Sequence, residues 1–176
     1  MVLFLVKITI CRLEDQTKQY EGRLEIIGKF LVILEGGYPM TDKKVEQPGV
    51  FATGPKNDAY AQYFIGQSYN NPLVTPGQDV SVPVSNVTFA PGCRNNWHIH
   101  HNGSQILLVT GGRGWYQEAG KPAQLLQPGD VVIAHEGVKH WHGATKNCWF
   151  SHLAITTGNS EWLEPVTDEV YNQLPS

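Results

Sequence analysis

The chain has 176 residues, a formal net charge of -3 and 16% charged residues. That length holds one domain with a real core and not comfortably two, and the charge balance gives no support for a nucleic-acid or acidic-membrane partner. Eighteen glycines and 11 prolines point to many turns, as all-β folds need.

The three cysteines, Cys11, Cys93 and Cys148, are odd in number and form no C-x-x-C pair. This suits a reduced, cytoplasmic setting better than a disulfide scaffold. The apolar start, Met1 to Val6, is too short to span a bilayer and lacks the basic region of a signal peptide. Val2 to Ile10 and Leu24 to Leu34 are rich in β-branched and aliphatic residues. They read as strands, with a hairpin around Gln16 to Gly22. A second reading competes. Glu35-Gly36-Gly37 lies just before Met40, and its codons can spell a bacterial ribosome-binding sequence. Residues 1–39 would then be a translated leader, with Met40 the native start. Mass spectrometry of the protein from its own cell decides: an intact Met1 terminus excludes the leader.

Residues 40–78 read as an N-terminal arm and a strand. Thr41 to Pro55 is polar and turn-rich, a mobile arm, and Asn57 is placed to cap a helical turn through Ala59 to Ala61. Tyr63 to Tyr69 reads as a strand that Asn70-Asn71-Pro72 ends. Residues 79–158 read as a barrel. Val80 to Phe89 alternates, with Val82, Val84, Asn86 and Thr88 on one face and Ser85, Val87 and Phe89 on the other. Pro91-Gly92 turns into the strand bearing His98 and His100. Leu107 to Val109 is a buried strand that Gly111-Gly112 breaks. Gly114 to Gln117 and Ala123 to Leu126 flank a turn, and Val131 to Ala134, His140 to Gly143 and Cys148 to Ile155 follow. Short strands with Gly or Pro between them indicate a single-domain, all-β jelly-roll barrel. Residues 159–176 form a tail, in which Thr167 before Asp168-Glu169 starts a short C-terminal helix through Val170 to Leu174.

All seven histidines lie between His98 and His152. His98 and His100, two apart, share one face of a strand, and His140 comes from another. With Gln105 they offer three neutral ring nitrogens and one amide oxygen, a cage for one divalent ion. The competing account is a polar barrel interior without metal. The set has no carboxylate, so a bound ion keeps its full charge and suits Lewis-acid work. Four protein ligands leave open positions in an octahedral site. Manganese or iron is expected, with zinc or nickel as substitutes in a recombinant host.

Gly92, His98, His100, Gln105 and Gly112 resemble the first cupin motif, and Gly129, Gly137 and His140 the second. Gln105 stands where glutamate is usual and His135 where proline is usual. With Lys139-His140-Trp141-His142-Gly143 and Ser151-His152-Leu153-Ala154-Ile155, the chain is similar to small bacterial manganese-dependent hydroxynitrile-lyase-like cupins. It also resembles cupin domains found with carboxymuconolactone decarboxylases. The resemblance implies that His142 and His152 line the cavity and move protons; the competing account is that they only orient the metal ligands. His142 shares a strand face with His140. Val87, Phe89 and Phe150 are the candidate contacts for a small, partly apolar substrate. The resemblance also implies a homodimer, with the Tyr63 to Tyr69 strand as the exchanged element.

His101 and His135 read as rim residues, Lys139 as surface and Cys93 as packed. Trp97, Trp115, Trp141 and Trp149 read as packing outside the barrel. Three functions follow in order. The first is a metal-dependent lyase acting on a small 2-hydroxy or carbonyl compound. The second is a metal-dependent dioxygenase. The third is a non-catalytic small-molecule-binding cupin.

Overall fold

The computed structural model describes residues 49–77 and 79–175. The strand and leader readings of residues 1–39, and Cys11, lie outside the described residues. The chain from Phe64 onward is built from short strands: β1 Phe64–Ile65, β2 Ser68–Val74, β3 Val84–Phe89, β4 Arg94–Asn95, β5 His98–His101 and β6 Gln105–Gly112. There follow β7 Gly114–Glu118, β8 Gln124–Leu126, β9 Val131–Ala134, β10 His140–Ala144, β11 Phe150–Thr156 and β12 Asn159–Trp162. One short helix, α1 Asp168–Asn172, comes last.

The strands form two antiparallel sheets, a jelly-roll barrel. The five-stranded sheet runs β2-β3-β11-β6-β9. In the seven-stranded sheet β10 is central: β7 and then β8 lie on one edge, while β4 and β5 share the other and lead on to β1 and β12. Alternation sets which side chains enter the barrel. Along β6 every second residue from Gln105 to Gly111 is buried, as a strand with one core-facing side requires. The inner side chains divide into two regions. Phe89, Leu107, Tyr116, Val132 and Phe150 form an apolar core, and the histidines occupy the remainder.

A second apolar cluster lies outside the barrel. Trp115, Trp141, Val166 and Tyr171 pack together there, with Trp97 against them. Trp141 and Trp115 alternate out of phase with His140, His142 and Tyr116, so they face away from the cavity. Helix α1 covers them. Thr167 caps it by accepting from the Val170 N–H. Arg94, almost fully buried, donates to the Val166 carbonyl at 3.0 Å and to Asp168 at 2.6 Å, and its guanidinium lies 4.5 Å from the Tyr171 ring centre. The Tyr171 hydroxyl donates to the Ala144 carbonyl at 2.7 Å. Cys93 is a free thiol packed in the core, and burial pushes its pKa up to about 12. No helix among the described residues is long and apolar enough to cross a membrane.

Four local expectations change. Tyr63 to Tyr69 is not one strand: Gly66, at φ +89°, turns the chain between β1 and β2. Strand β2 then continues through Asn70-Asn71-Pro72 to Val74. Asn57 precedes a 3-10 helix, Asp58–Tyr63, without a side-chain cap; its amide donates instead to Ser68 at 3.3 Å. Gly111-Gly112 does not break β6 after Val109 but forms its last two residues. A register shift at Ser151/His152 opposite β11 absorbs one extra residue as a bulge, of the kind often found beside functional sites. Finally, residues placed in the tail form β12, which pairs with β5 and sets Trp162 opposite His98 and Ser160 opposite His100.

Candidate metal centre

Strands β5 and β10 are neighbours, and His98 lies directly opposite His140. His100, two residues along β5, shares the inner face. The three imidazoles are buried, and each presents a ligand atom within 4.8 Å of the others. Ring centres are 4.1 Å apart for His98–His140 and 5.2 Å for both His98–His100 and His100–His140. Gln105 enters from the opposite sheet, at the start of β6.

Hydrogen bonds fix which nitrogen faces inward. His98 Nδ1 donates to the Asn96 carbonyl at 3.0 Å, and His140 Nδ1 to the Val138 carbonyl at 2.9 Å. His100 Nδ1 is bonded to the Ser160 hydroxyl at 3.1 Å. The two carbonyls can only accept, so His98 and His140 carry their proton on Nδ1 and keep a lone pair on Nε2, the arrangement usual for ligating histidines; His100 matches them in the tautomer whose Nδ1 donates to Ser160. The Gln105 amide is oriented in the same way: its Nε2 donates to Thr156 at 3.0 Å, which turns Oε1 inward beside His98 and His100. The Nε2 atoms of His98, His100 and His140 and the Oε1 of Gln105 are all buried with no hydrogen-bond partner. Buried acceptors without donors are rare in folded proteins. Four converging on one point match the donor set of a divalent cation.

Electrostatics point the same way. Burial, and then the neighbouring His140, hold His98 well below the ordinary histidine range. Burial lowers His100 as well and brings His140 down to about 4. All three are therefore neutral near pH 7, the form that ligates metal.

Two further histidines complete the lining. His142, on the same face of β10 as His140, is held by Asn95. Its backbone N–H donates to Asn95 Oδ1 at 2.9 Å, so the Asn95 amide nitrogen turns to the ring and donates to His142 Nε2 at 3.0 Å. The proton of the neutral His142 ring is thereby left on Nδ1, which has no partner. Gly143 makes this contact attainable, because a Cβ there would meet the Arg94 backbone of β4 at 2.6 Å. His152 comes from β11 in the other sheet and meets His142 edge-on, with ring centres 4.9 Å apart. Both His152 nitrogens are buried and unpartnered, and burial brings its pKa down to about 4.

These groups open on a cavity of about 220 Å³. Val87 lines it. Phe89 and Phe150 do not: both are fully buried in the apolar core, with ring centres 5.7 and 5.3 Å from His152, and they support the histidines from behind. His101 sits exposed at the end of β5, bonded to Glu161 at 2.6 Å. His135 is exposed, and Lys139 pairs with Glu164 outside the barrel. Sequence reasoning missed Asn95, Thr156, Ser160 and Trp162. Trp162 stacks on Tyr63 at 4.7 Å and closes on His98 at 4.7 Å. The indole was the one local signal available for it.

Comparison with known proteins agrees with this geometry. A model described as Cupin_2, cupin domain, matches residues 85–150. The chain is 42% identical over 117 residues to an (R)-mandelonitrile lyase from Granulicella tundricola, covering 64% of this chain and 88% of the lyase. A solved cupin-like protein from Thermotoga maritima superposes with a TM-score of 0.65 at 43% identity, over 70% of this chain and 95% of that one. A DMSP lyase from Ruegeria pomeroyi superposes at 0.54 with 16% identity, over 86% and 94% of the two chains, a likeness of fold alone. The buried histidine trio, the barrel that carries it and an extended match to a curated relative converge: the chain belongs to the cupin family.

Proposed function

We propose that this chain is a metal-dependent lyase that splits a small 2-hydroxy compound of the hydroxynitrile type into a carbonyl compound and cyanide. One observation carries the reading. The unpartnered atoms of His98, His100 and Gln105 line one cavity with a further unpartnered group, the His152 imidazole, and the unpartnered Nε2 of His140 lies within 4.8 Å of those of His98 and His100. The likeness to the (R)-mandelonitrile lyase supports the choice of reaction.

The donor set fits manganese or iron, and the ion when bound supplies Lewis acidity without a compensating carboxylate. The chain's own residues do the rest. His152 is neutral near pH 7 because burial lowers its pKa, so its base form is fully populated. It takes the proton of the substrate hydroxyl. The O–H electron pair becomes the second carbonyl bond, the carbon–cyanide bond breaks, and cyanide leaves with the electron pair of that broken bond. His152 returns the proton, and hydrogen cyanide departs. His142, locked by Asn95 with its proton on Nδ1, orients the exchange from its edge-on position. Among the described residues no Asp, Glu, Lys or Arg lines the cavity, a lining that favours a neutral substrate. Its volume suits one ring with a short substituent, since about 150 Å³ is enough to hold benzene.

The test is cleavage of mandelonitrile by the metal-loaded protein, followed as benzaldehyde release. A rate above that of a His140→Ala control is expected. Equal rates would sink the reading.

A further inference from the structure

The far end of the cavity carries its own recognition group. In the five-stranded sheet, residues directly opposite one another across strands point the same way. One inward row runs Asn70–Val87–His152, from β2 through β3 to β11. All three residues line the cavity. His152 stands at the reacting end. Asn70 lies two strands away, about 10 Å at roughly 4.8 Å per strand. Its backbone N–H donates to the Pro55 carbonyl at 3.1 Å, which anchors the residue. Its Oδ1 is buried and accepts nothing. Asn57, 8% exposed, lines the same cavity and is held by its bond to Ser68. Phe64 and Trp162 supply aromatic walls between the two ends.

We propose that Asn70 Oδ1 is a distal recognition site that accepts a hydrogen bond from a neutral hydroxyl on the far side of a one-ring substrate. With Oδ1 as the free atom, the group it takes is a donor. It is neutral, because among the described residues no carboxylate lines the cavity to balance a cation. A para-substituted ring spans the stretch from His152 past Val87 to Asn70. The substrate class is then a 4-hydroxyaryl aldehyde, or the 2-hydroxy compound that releases it. The assignment of the reacting end rests on the lyase reading; the distal site rests on Asn70 itself.

Dissociation constants for benzaldehyde, 4-methoxybenzaldehyde and 4-hydroxybenzaldehyde, measured calorimetrically on the manganese-loaded full chain, test this. The hydroxyl compound binds about tenfold more tightly than the other two, because the methoxy group fills the same space without donating. In Asn70→Leu the preference falls to threefold or less. Equal constants for all three on the wild-type chain, no binding by any of them, or a preference that survives in a folded Asn70→Leu variant overturns the proposal. Mandelonitrile has no ring hydroxyl and reports on the metal end alone. Its cleavage without a hydroxyl preference sinks the distal site only. A hydroxyl preference without cleavage sinks the lyase reading only.

Discussion

His152 makes the fold acid-labile by an amount that can be worked out. In the unfolded chain its pKa is the ordinary 6.5; in the barrel burial brings it down to about 4. Below pH 6.5 the unfolded histidine therefore holds a proton that the folded one refuses, and stability falls with pH. Above about pH 7 both forms are neutral and the effect vanishes. At about 1.36 kcal/mol per pH unit, the loss from this residue between pH 8 and pH 5 is about 2 kcal/mol. That is a large share of the 5–15 kcal/mol typical of a domain. Urea unfolding of the metal-free protein at the two pH values measures it, with His152→Leu as reference. His98, His100 and His140 contribute to both proteins and cancel in the difference, while His142, which His152 also helps to hold low, adds to it. The wild-type chain should lose at least about 2 kcal/mol more than the variant. Parallel pH dependence of the two would refute the claim that His152 is buried as a neutral, unpartnered base.

Metal analysis of the protein expressed with manganese, iron and zinc available should find about one ion per chain, lost in His98→Ala while the barrel still melts cooperatively. Gln105→Glu should raise metal affinity, read by competition with a chelator, at least tenfold, because a carboxylate partly balances a charge that the amide leaves whole. The same change should slow cleavage, because the Lewis acidity of the ion drops. Asn95→Leu frees the His142 ring, so metal content should hold while turnover falls roughly 10- to 100-fold, as for other groups that orient a functional imidazole; nitrogen NMR of the His142 ring should show loss of the single tautomer. Gly143→Ala places a Cβ against the Arg94 backbone and should cost about 1–3 kcal/mol in a thermal melt.

The parts of the site legible in the sequence are those set by local periodicity. His98 and His100 share a face because strands repeat every two residues, and the alternation of Val87 and Phe89 gave their side correctly. Depth along the strand was not legible. Val87 borders the cavity while Phe89, two residues on, is walled into the core, because what lies opposite each is decided by β11. The partners that orient the site were invisible for the same reason. Asn95 finds His142 47 residues away, Gln105 finds Thr156 51 away, and Ser160 finds His100 60 away. Strand β12 escaped notice because Asn159-Ser160-Glu161 is exposed and polar, without the apolar alternation that marks a strand. The end of β6 escaped because a one-residue bulge at Thr110, not a turn, precedes Gly111-Gly112.

The site is divided between the two sheets, and this couples metal to fold. Strands β5 and β10 of one sheet supply three imidazoles; the other supplies Gln105 from β6 and His152 from β11. Neither sheet alone holds four ligand atoms on one point, so the full donor set exists only when the barrel is closed. An ion that binds the closed form stabilises it by mass action, by about 2.7 kcal/mol at a hundred times its dissociation constant. Because burial already keeps His98, His100 and His140 neutral near pH 7, loading there displaces few protons. The unpartnered acceptors that burden the metal-free barrel are the same atoms that an ion would satisfy. A polar interior evolved only for stability would have paired those atoms with one another, as Asn86, Thr88 and Ser151 are paired on the outer face of the other sheet.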